Sequence, residues 1–207
     1  MNQKLSFAVL LSLLVSVTCM AQPSGRLKPG TTAPEVIAED IYGRKINITE
    51  IVGSKKVLLS FQRYASCPIC NYRIRELKNQ YQALTLSNVE IVLFIESSKK
   101  NILDNLMGEK MPFYIIADPE NIFYNKYRVE KSTMKSLENY LFNAQTKRLI
   151  KEGEKYVNPK VPRDASLRRL EAEFLVGNTM KILKAHYGSY IGDFLEISSI
   201  KSITVTD

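Results

Sequence analysis

Cys67 and Cys70, in the stretch SFQRYASCPICNYRIREL (60–77), are the residues whose types and spacing could carry chemistry. A Cys-x-x-Cys pair can be a redox dithiol, half of a metal site or a structural disulfide. The apolar run KKVLLSF (55–61) leads straight into the pair, as a strand buried on both faces would. Pro68 stands where a first helical turn accepts proline. Cys67 is therefore expected at a helix N-terminus, where unpaired backbone N–H groups and the helix dipole favour an anion. Thiolate is the reactive form of cysteine, and such a setting draws its pKa below about 8.5. Arg63, with Arg73 or Arg75 as further candidates, supplies positive charge nearby. Cys70 instead opens an apolar stripe, continued by Ile74, Leu77, Tyr81 and Leu84, while Arg73, Arg75, Glu76, Lys78 and Asn79 lie off it. An exposed attacking Cys67 with a shielded resolving Cys70 is the arrangement that thiol–disulfide exchange needs.

Other chemistries fit less well. A zinc site usually takes four Cys or His ligands, and beyond Cys19 the chain offers two cysteines and the distant His186. A Cys–His hydrolase would need His186 to meet Cys67, with an orienting third residue that no motif supplies. A permanent disulfide stays open as the rival, although a bridge over so short a loop constrains the unfolded chain little. In that case the chain would be a non-enzymatic binding module, using the basic segment 146–169 as its surface.

The elements that must position the pair follow from periodicity. Residues 35–48 alternate around a Tyr42-Gly43 turn, as a hairpin does. NVEIVLFIE (88–96) and PFYIIAD (112–118) read as two more strands, with helices expected over 98–108 and 119–129. Residues 131–150 carry Met134, Leu137 and Leu141 at helical spacing, and 146–169 reads as a solvated basic loop. Residues 170–188 predict a hairpin around Gly177-Asn178, and Asp193 is the expected N-cap of a closing helix. Strands separated by helices argue for an α/β fold, a single domain with a central mixed sheet flanked by helices.

The segment LKPGTTAPEVIAEDIYGRKINITEIVGSKKVLLSFQRYASCPIC, with MPFYIIADPENIFYNKYRV (111–129) and FLVGNTMKILKAHYGSYIGDFLEI (174–197), resembles the peroxiredoxin-like branch of the alkyl hydroperoxide reductase/thiol-specific antioxidant superfamily. The likeness covers about 27–200 and implies a thioredoxin-like fold. It also implies a thiol oxidoreductase without metal or organic cofactor. Its substrate would be a peroxide or a protein disulfide, and its electrons would come from a dithiol protein. The departures are informative. Peroxidatic members carry Pro-x-x-x-Thr/Ser-x-x-Cys, and this chain has Ser60 and Tyr64 at those places. Tyr64 still brings a hydroxyl. Relatives with a Cys-Pro-x-Cys pair often show an arginine just before it, here Arg63. Thioredoxin-like reductases carry a cis-proline ahead of the later hairpin, where this chain has about Glu171. Copper-handling relatives space their cysteines one residue further apart. The candidate catalytic set is Cys67, Cys70, Arg63 and Tyr64, with Cys67–Cys70 as the redox-active disulfide. Asp118 is expected as a helix cap and His186 as a structural histidine.

The N-terminus stands apart. Lys4, the apolar run LSFAVLLSLLVSV (5–17) and Ala21 before a polar break describe a secretory signal peptide cleaved after Ala21. The run falls short of the roughly 20 apolar residues that span a bilayer. Soluble export, periplasmic or secreted, is favoured over a lipid anchor on Cys19, because Val17 and Thr18 poorly match such a site. Outside the cytosol a close cysteine pair can stay oxidised. The formal charge is +8, and +7 without Lys4. No nucleic-acid motif accompanies the basic residues, so nucleic acid is not an expected partner.

Overall fold

The Asp40 carboxylate builds the first turn. Its Oδ1 accepts from the backbone N–H groups of Tyr42 (2.9 Å) and Arg44 (2.8 Å). Gly43 then takes φ +84°, a conformation that favours glycine, and β1 (Ile37–Glu39) pairs antiparallel with β2 (Lys45–Asn47). The hairpin expected over 35–48 is thus present in the computed structural model, which describes residues 25–133 and 143–203. A short helix, α1 (Ile48–Val52), follows, capped by the Asn47 side chain, which accepts from Thr49 N–H.

The buried run becomes β3 (Lys56–Gln62), and all seven of its residues are buried. It hydrogen-bonds in parallel to β4 (Val89–Ile95), which pairs in parallel with β5 (Tyr114–Ala117). On its other side β3 pairs antiparallel with β6 (Ala172–Val176), and β6 with β7 (Ile182–Tyr187). The mixed sheet therefore runs β5-β4-β3-β6-β7. Between β3 and β4 the chain crosses over through α2 (Pro68–Leu86), and between β4 and β5 through α3 (Lys99–Leu106). A short α4 (Ile122–Lys126) follows β5. The Asp118 carboxylate accepts from the N–H groups of Ile122, Phe123 and Tyr124, the capping role expected of it.

Alternate residues of β3 serve opposite faces of the sheet. Val57, Leu59 and Phe61 join Phe94, Tyr124, Tyr127 and Phe174 in an aromatic core, with Phe61 stacked on Phe94 at 4.4 Å. Leu58 faces the α2 side, among Ile74, Leu77 and Leu93. Ser60 shares that face and is polar, which calls for a buried partner. Its Oγ donates to Glu173 Oε1 of β6 (2.7 Å) and accepts from Gln62 Nε2 (2.8 Å).

Three expectations change. Arg73, placed off the buried stripe, is only 1 % exposed. It can be buried because Glu173 meets it bidentately, Nε to Oε1 at 2.9 Å and Nη2 to Oε2 at 2.6 Å. The basic loop expected over 146–169 begins instead as a helix, α5 (Ala144–Gly153), with a 3₁₀ turn over Glu154–Tyr156. Asn143 caps it by accepting from Thr146 N–H (3.0 Å). Its inward face is made by Thr146, Leu149 and Gly153, too small and polar a set to show as an apolar stripe. Asp193 does not cap the closing helix, α6 (Ile197–Ser202), whose N-cap is Glu196. Its carboxylate instead accepts from Ser189 N–H (2.8 Å) and meets His186 Nε2 (3.0 Å), closing the loop after β7. The predicted helix around Met134, Leu137 and Leu141 lies outside the described residues. No helix among the described residues is long and apolar enough to cross a membrane.

Removing one partner of a buried ion pair leaves the other charge uncompensated. Glu173→Ala is expected to lower stability by about 3–5 kcal/mol, seen as a lower urea midpoint with an unchanged slope. The double replacement Arg73→Met/Glu173→Leu should recover most of that loss.

Candidate active site

The end of β3 and the start of α2 bring the predicted residues together. Cys67 is the N-cap of α2, with φ −77° and ψ 118°, and Pro68 opens the helix. As a cap, the Cys67 sulfur accepts from Cys70 N–H (3.5 Å). The Cys70 sulfur accepts from the backbone N–H of Arg63 (3.3 Å), one residue past β3. Both cysteines are free thiols, and the Cys70 thiol hydrogen-bonds to the Cys67 sulfur. Arg63 Nη1 lies 3.9 Å from the Cys67 sulfur, and Nη2 donates to Leu167 O (2.7 Å).

Cys67 does not face outward as expected. It is 1 % exposed, like Cys70, because α5 and the loop before α6 cover the helix start. Gly153 presses on Pro68 so closely that a Cβ there would lie 1.8 Å from Pro68 O. Gly192, at φ +88°, leaves room for Leu149 in the same way. A cavity of about 590 Å³ nevertheless reaches Cys67, walled by Tyr64, Ile69 and Ile150 and rimmed by Arg63, Arg163 and Arg168.

The electrostatics separate the two thiols. Burial opposes ionisation of Cys67, but the Cys70 thiol, the Arg63 guanidinium and the Cys70 N–H outweigh it, and its pKa falls below the ordinary thiol value. Burial pushes Cys70 well up, and the hydrogen bond to Cys67 and the Cys67 charge push the same way. The pair therefore loses its first proton as a unit, with the charge settling on Cys67. Desolvation works against the Arg63 cation too, yet Cys67, Glu171 and Cys70 hold its proton on.

Tyr64 is half-buried beside the Arg63 guanidinium, 5.4 Å from its ring centre. Burial and then the Cys67 charge push its hydroxyl up to about 12. It meets Cys67 through the backbone, accepting from Cys67 N–H at its carbonyl (3.0 Å). Ser60 serves the Arg73–Glu173 pair and not the cysteines. His186 is held by Asp193. Among the described residues no three His, Cys, Asp or Glu side chains are grouped to hold a metal ion.

Glu171 was missed as a site residue by sequence reasoning. It precedes β6, and the pairing of Phe61 with Ala172 sets it across from Gln62 at the end of β3. It is 1 % exposed and acts electrostatically on Arg63, Cys67 and Cys70. The only hint in the sequence was its position just ahead of the closing hairpin.

A mixed sheet of this order, with a buried dithiol capping its first crossover helix, has the thioredoxin-like fold. Residues 29–152 match the AhpC/TSA family model, and the chain belongs to that family. A peroxiredoxin, bcp, of Buchnera aphidicola subsp. Schizaphis graminum is 25% identical over 103 residues, 50% of this chain and 65% of that protein. The chain thus spans just under two thirds of that relative's length. A reduced 2-Cys peroxiredoxin of Plasmodium vivax superposes with a TM-score of 0.59 at 17% identity, covering 84% of this chain and 93% of that one. A thiol:disulfide interchange protein, DsbE, of Chlorobium tepidum gives 0.50 at 15% identity, with 84% and 91% covered.

The Cys70 thiol and then Arg63 lower the Cys67 pKa, so reactivity should fall as pH drops through that pKa and the thiolate is protonated. Arg63→Met is expected to move this fall to higher pH. Alkylation of Cys67 at neutral pH should then slow about tenfold for each pKa unit gained, measured by iodoacetamide trapping and mass spectrometry.

Proposed function

We propose that the chain is an exported thiol–disulfide oxidoreductase with peroxiredoxin-like activity, in which Cys67 attacks and Cys70 resolves. The observation that carries this reading is the unequal setting of the two thiols: Cys67 caps α2 with Arg63 Nη1 3.9 Å from its sulfur, and Cys70 lies buried three residues on. With a disulfide substrate, the Cys67 thiolate attacks one sulfur and releases the other as a thiolate. Cys70 then attacks Cys67, forming the Cys67–Cys70 bond and releasing the second substrate sulfur. With a peroxide, the Cys67 thiolate attacks the terminal oxygen, the O–O bond breaks and the remainder leaves as an alcohol or water; Cys70 then attacks the Cys67 sulfenic acid, forming the Cys67–Cys70 bond and releasing its hydroxyl as water. A dithiol protein returns the two electrons in either case. Disulfide exchange is the preferred route, because Ser60 is committed to Glu173 and no hydrogen bond joins the Tyr64 hydroxyl to Cys67 among the described residues. Peroxide reduction comes second. Export rests on the leader-like residues 1–21.

Stopped-flow oxidation of the reduced protein tests this directly, comparing a small disulfide with hydrogen peroxide. The disulfide is expected to react faster, Cys67→Ser to abolish both reactions, and Cys70→Ser to accumulate a mixed disulfide on Cys67. Full activity in Cys67→Ser would overturn the proposal. So would a reduction potential for the pair below roughly −300 mV, the range of structural disulfides.

A further inference from the structure

The cavity that reaches Cys67 is larger than access to a thiol requires. At about 590 Å³ it falls within the range of roughly 300–1,000 Å³ usual for small-molecule sites, and hydrogen peroxide would fill little of it. Its walls are apolar, with Tyr64, Ile69, Ile150 and Ile191 joined by Leu167, which is 47 % exposed. Its charged lining is one-sided: Arg63, Arg163 and Arg168 against the single acid Glu154.

The two outer arginines are held in place by their neighbours and not by partners of their own. Arg163 precedes Asp164, whose carboxylate accepts from Ser98 N–H (2.9 Å) and Asn101 Nδ2 (2.8 Å) and meets Ser97 Oγ. Arg168 stands between Leu167, whose carbonyl accepts from Arg63 Nη2 (2.7 Å), and Arg169, which is buried and paired with Glu96 (2.8 Å). Its own carbonyl accepts from Ser132 N–H (2.7 Å). The backbone that carries both guanidinium groups is therefore tied down. Neither group has a hydrogen bond or an ion pair among the described residues, and both residues are exposed. Further in, Arg63 is 6 % exposed, lines the same cavity and keeps Nε without a partner. Guanidinium groups on a fixed backbone, with no partner inside the protein, are free to meet an anion, and their geometry suits a carboxylate.

We propose that the cavity selects a small disulfide whose arms end in carboxylates. The apolar walls take the carbon chain, Arg163 and Arg168 take the carboxylates, and the S–S bond comes to Cys67. The inference rests on the disulfide-exchange reading of the Cys67–Cys70 pair and adds its class of substrate. In the first exchange the Cys67 thiolate attacks one substrate sulfur and the bond between Cys67 and that sulfur forms. The substrate S–S bond breaks, and the departing arm leaves as a thiolate that still carries its carboxylate. A bare thiolate repels an anionic disulfide, so a thiol in free solution disfavours this substrate. The arginines reverse that order, first for the approaching disulfide and then for the doubly charged arm that leaves.

The test is quenched-flow oxidation of the reduced protein by three disulfides of similar size: dithiodipropionate (anionic), hydroxyethyl disulfide (neutral) and cystamine (cationic). Loss of the Cys67 thiol is followed by alkylation and mass spectrometry. Each rate is divided by that of the same disulfide with dithiothreitol, which removes differences in intrinsic reactivity. The wild type is expected to favour dithiodipropionate over hydroxyethyl disulfide by about tenfold, the strength of two exposed ion pairs, with cystamine slowest. Added salt should shrink the preference. In Arg163→Gln/Arg168→Gln the ratio should fall to about one. In Lys28→Gln/Lys45→Gln, which removes the same charge from exposed residues outside the cavity lining, it should stay. A wild-type ratio of one or less overturns the inference, and so does an equal loss in the lysine variant, which would make the preference one of overall charge. Should the double arginine variant not fold, each single variant is expected to lose about threefold, and a ratio unmoved in both overturns the inference. No oxidation of Cys67 by any of the three would instead overturn the disulfide route itself. Equal normalised rates with all three leave that route standing and remove only the substrate class.

Discussion

The contact between Arg73 and Glu173 is what the rest of the site hangs from. It joins the second turn of α2 to the start of β6, and both side chains are buried. Such a pair is tolerable only when its remaining hydrogen-bonding capacity is met. Here Ser60 and the backbone N–H of Leu195 complete the carboxylate, while Glu76 and Leu195 O complete the guanidinium. A fully satisfied polar network admits few alternative packings. It therefore fixes the height of α2 over the sheet, and with it the place where Cys67 caps the helix.

The two buried arginines of this face show how the same residue type becomes structural or functional. Arg73 has its charge met by carboxylate oxygens at hydrogen-bond distance. Arg63 spends one nitrogen on a backbone carbonyl, leaves Nε without a partner and presents the rest of its charge to sulfur. A cation so under-matched stabilises whichever neighbour ionises first. The sulfur wins because it also caps a helix and receives the Cys70 thiol as a donor.

Much of the frame was legible in the sequence. The buried strands, the Tyr42-Gly43 and Gly177-Asn178 turns and the placement of Cys67 ahead of Pro68 all rest on local signals, and local signals survive folding. The residues that escaped are those whose role is set by a partner far away in the chain. Arg73 looks like a surface arginine until Glu173, 100 residues on, is brought beside it. Cys67 looks exposed until α5 arrives, and α5 itself is hard to see because its inner face is Thr146, Leu149 and Gly153. Glu171 carries only the faint signal of its place just ahead of the closing hairpin, since a single acidic residue before a strand is ordinary until the sheet register sets it across from the end of β3.

The pairing of Arg63 with Cys67 also reverses the usual meaning of a disulfide. Closing a bridge over so short a loop takes little freedom from the unfolded chain. In the folded chain the same bond removes the thiolate that Arg63 attracts and the thiol contact between Cys70 and Cys67. Oxidation of this pair would then loosen the protein, and the dithiol form would be the sturdier of the two. By linkage, the free energy with which folding favours the thiolate is the same quantity by which the folded chain oxidises more strongly than its own unfolded sequence. Cohesion and oxidising power would rise together from the Cys70 thiol and the Arg63 guanidinium.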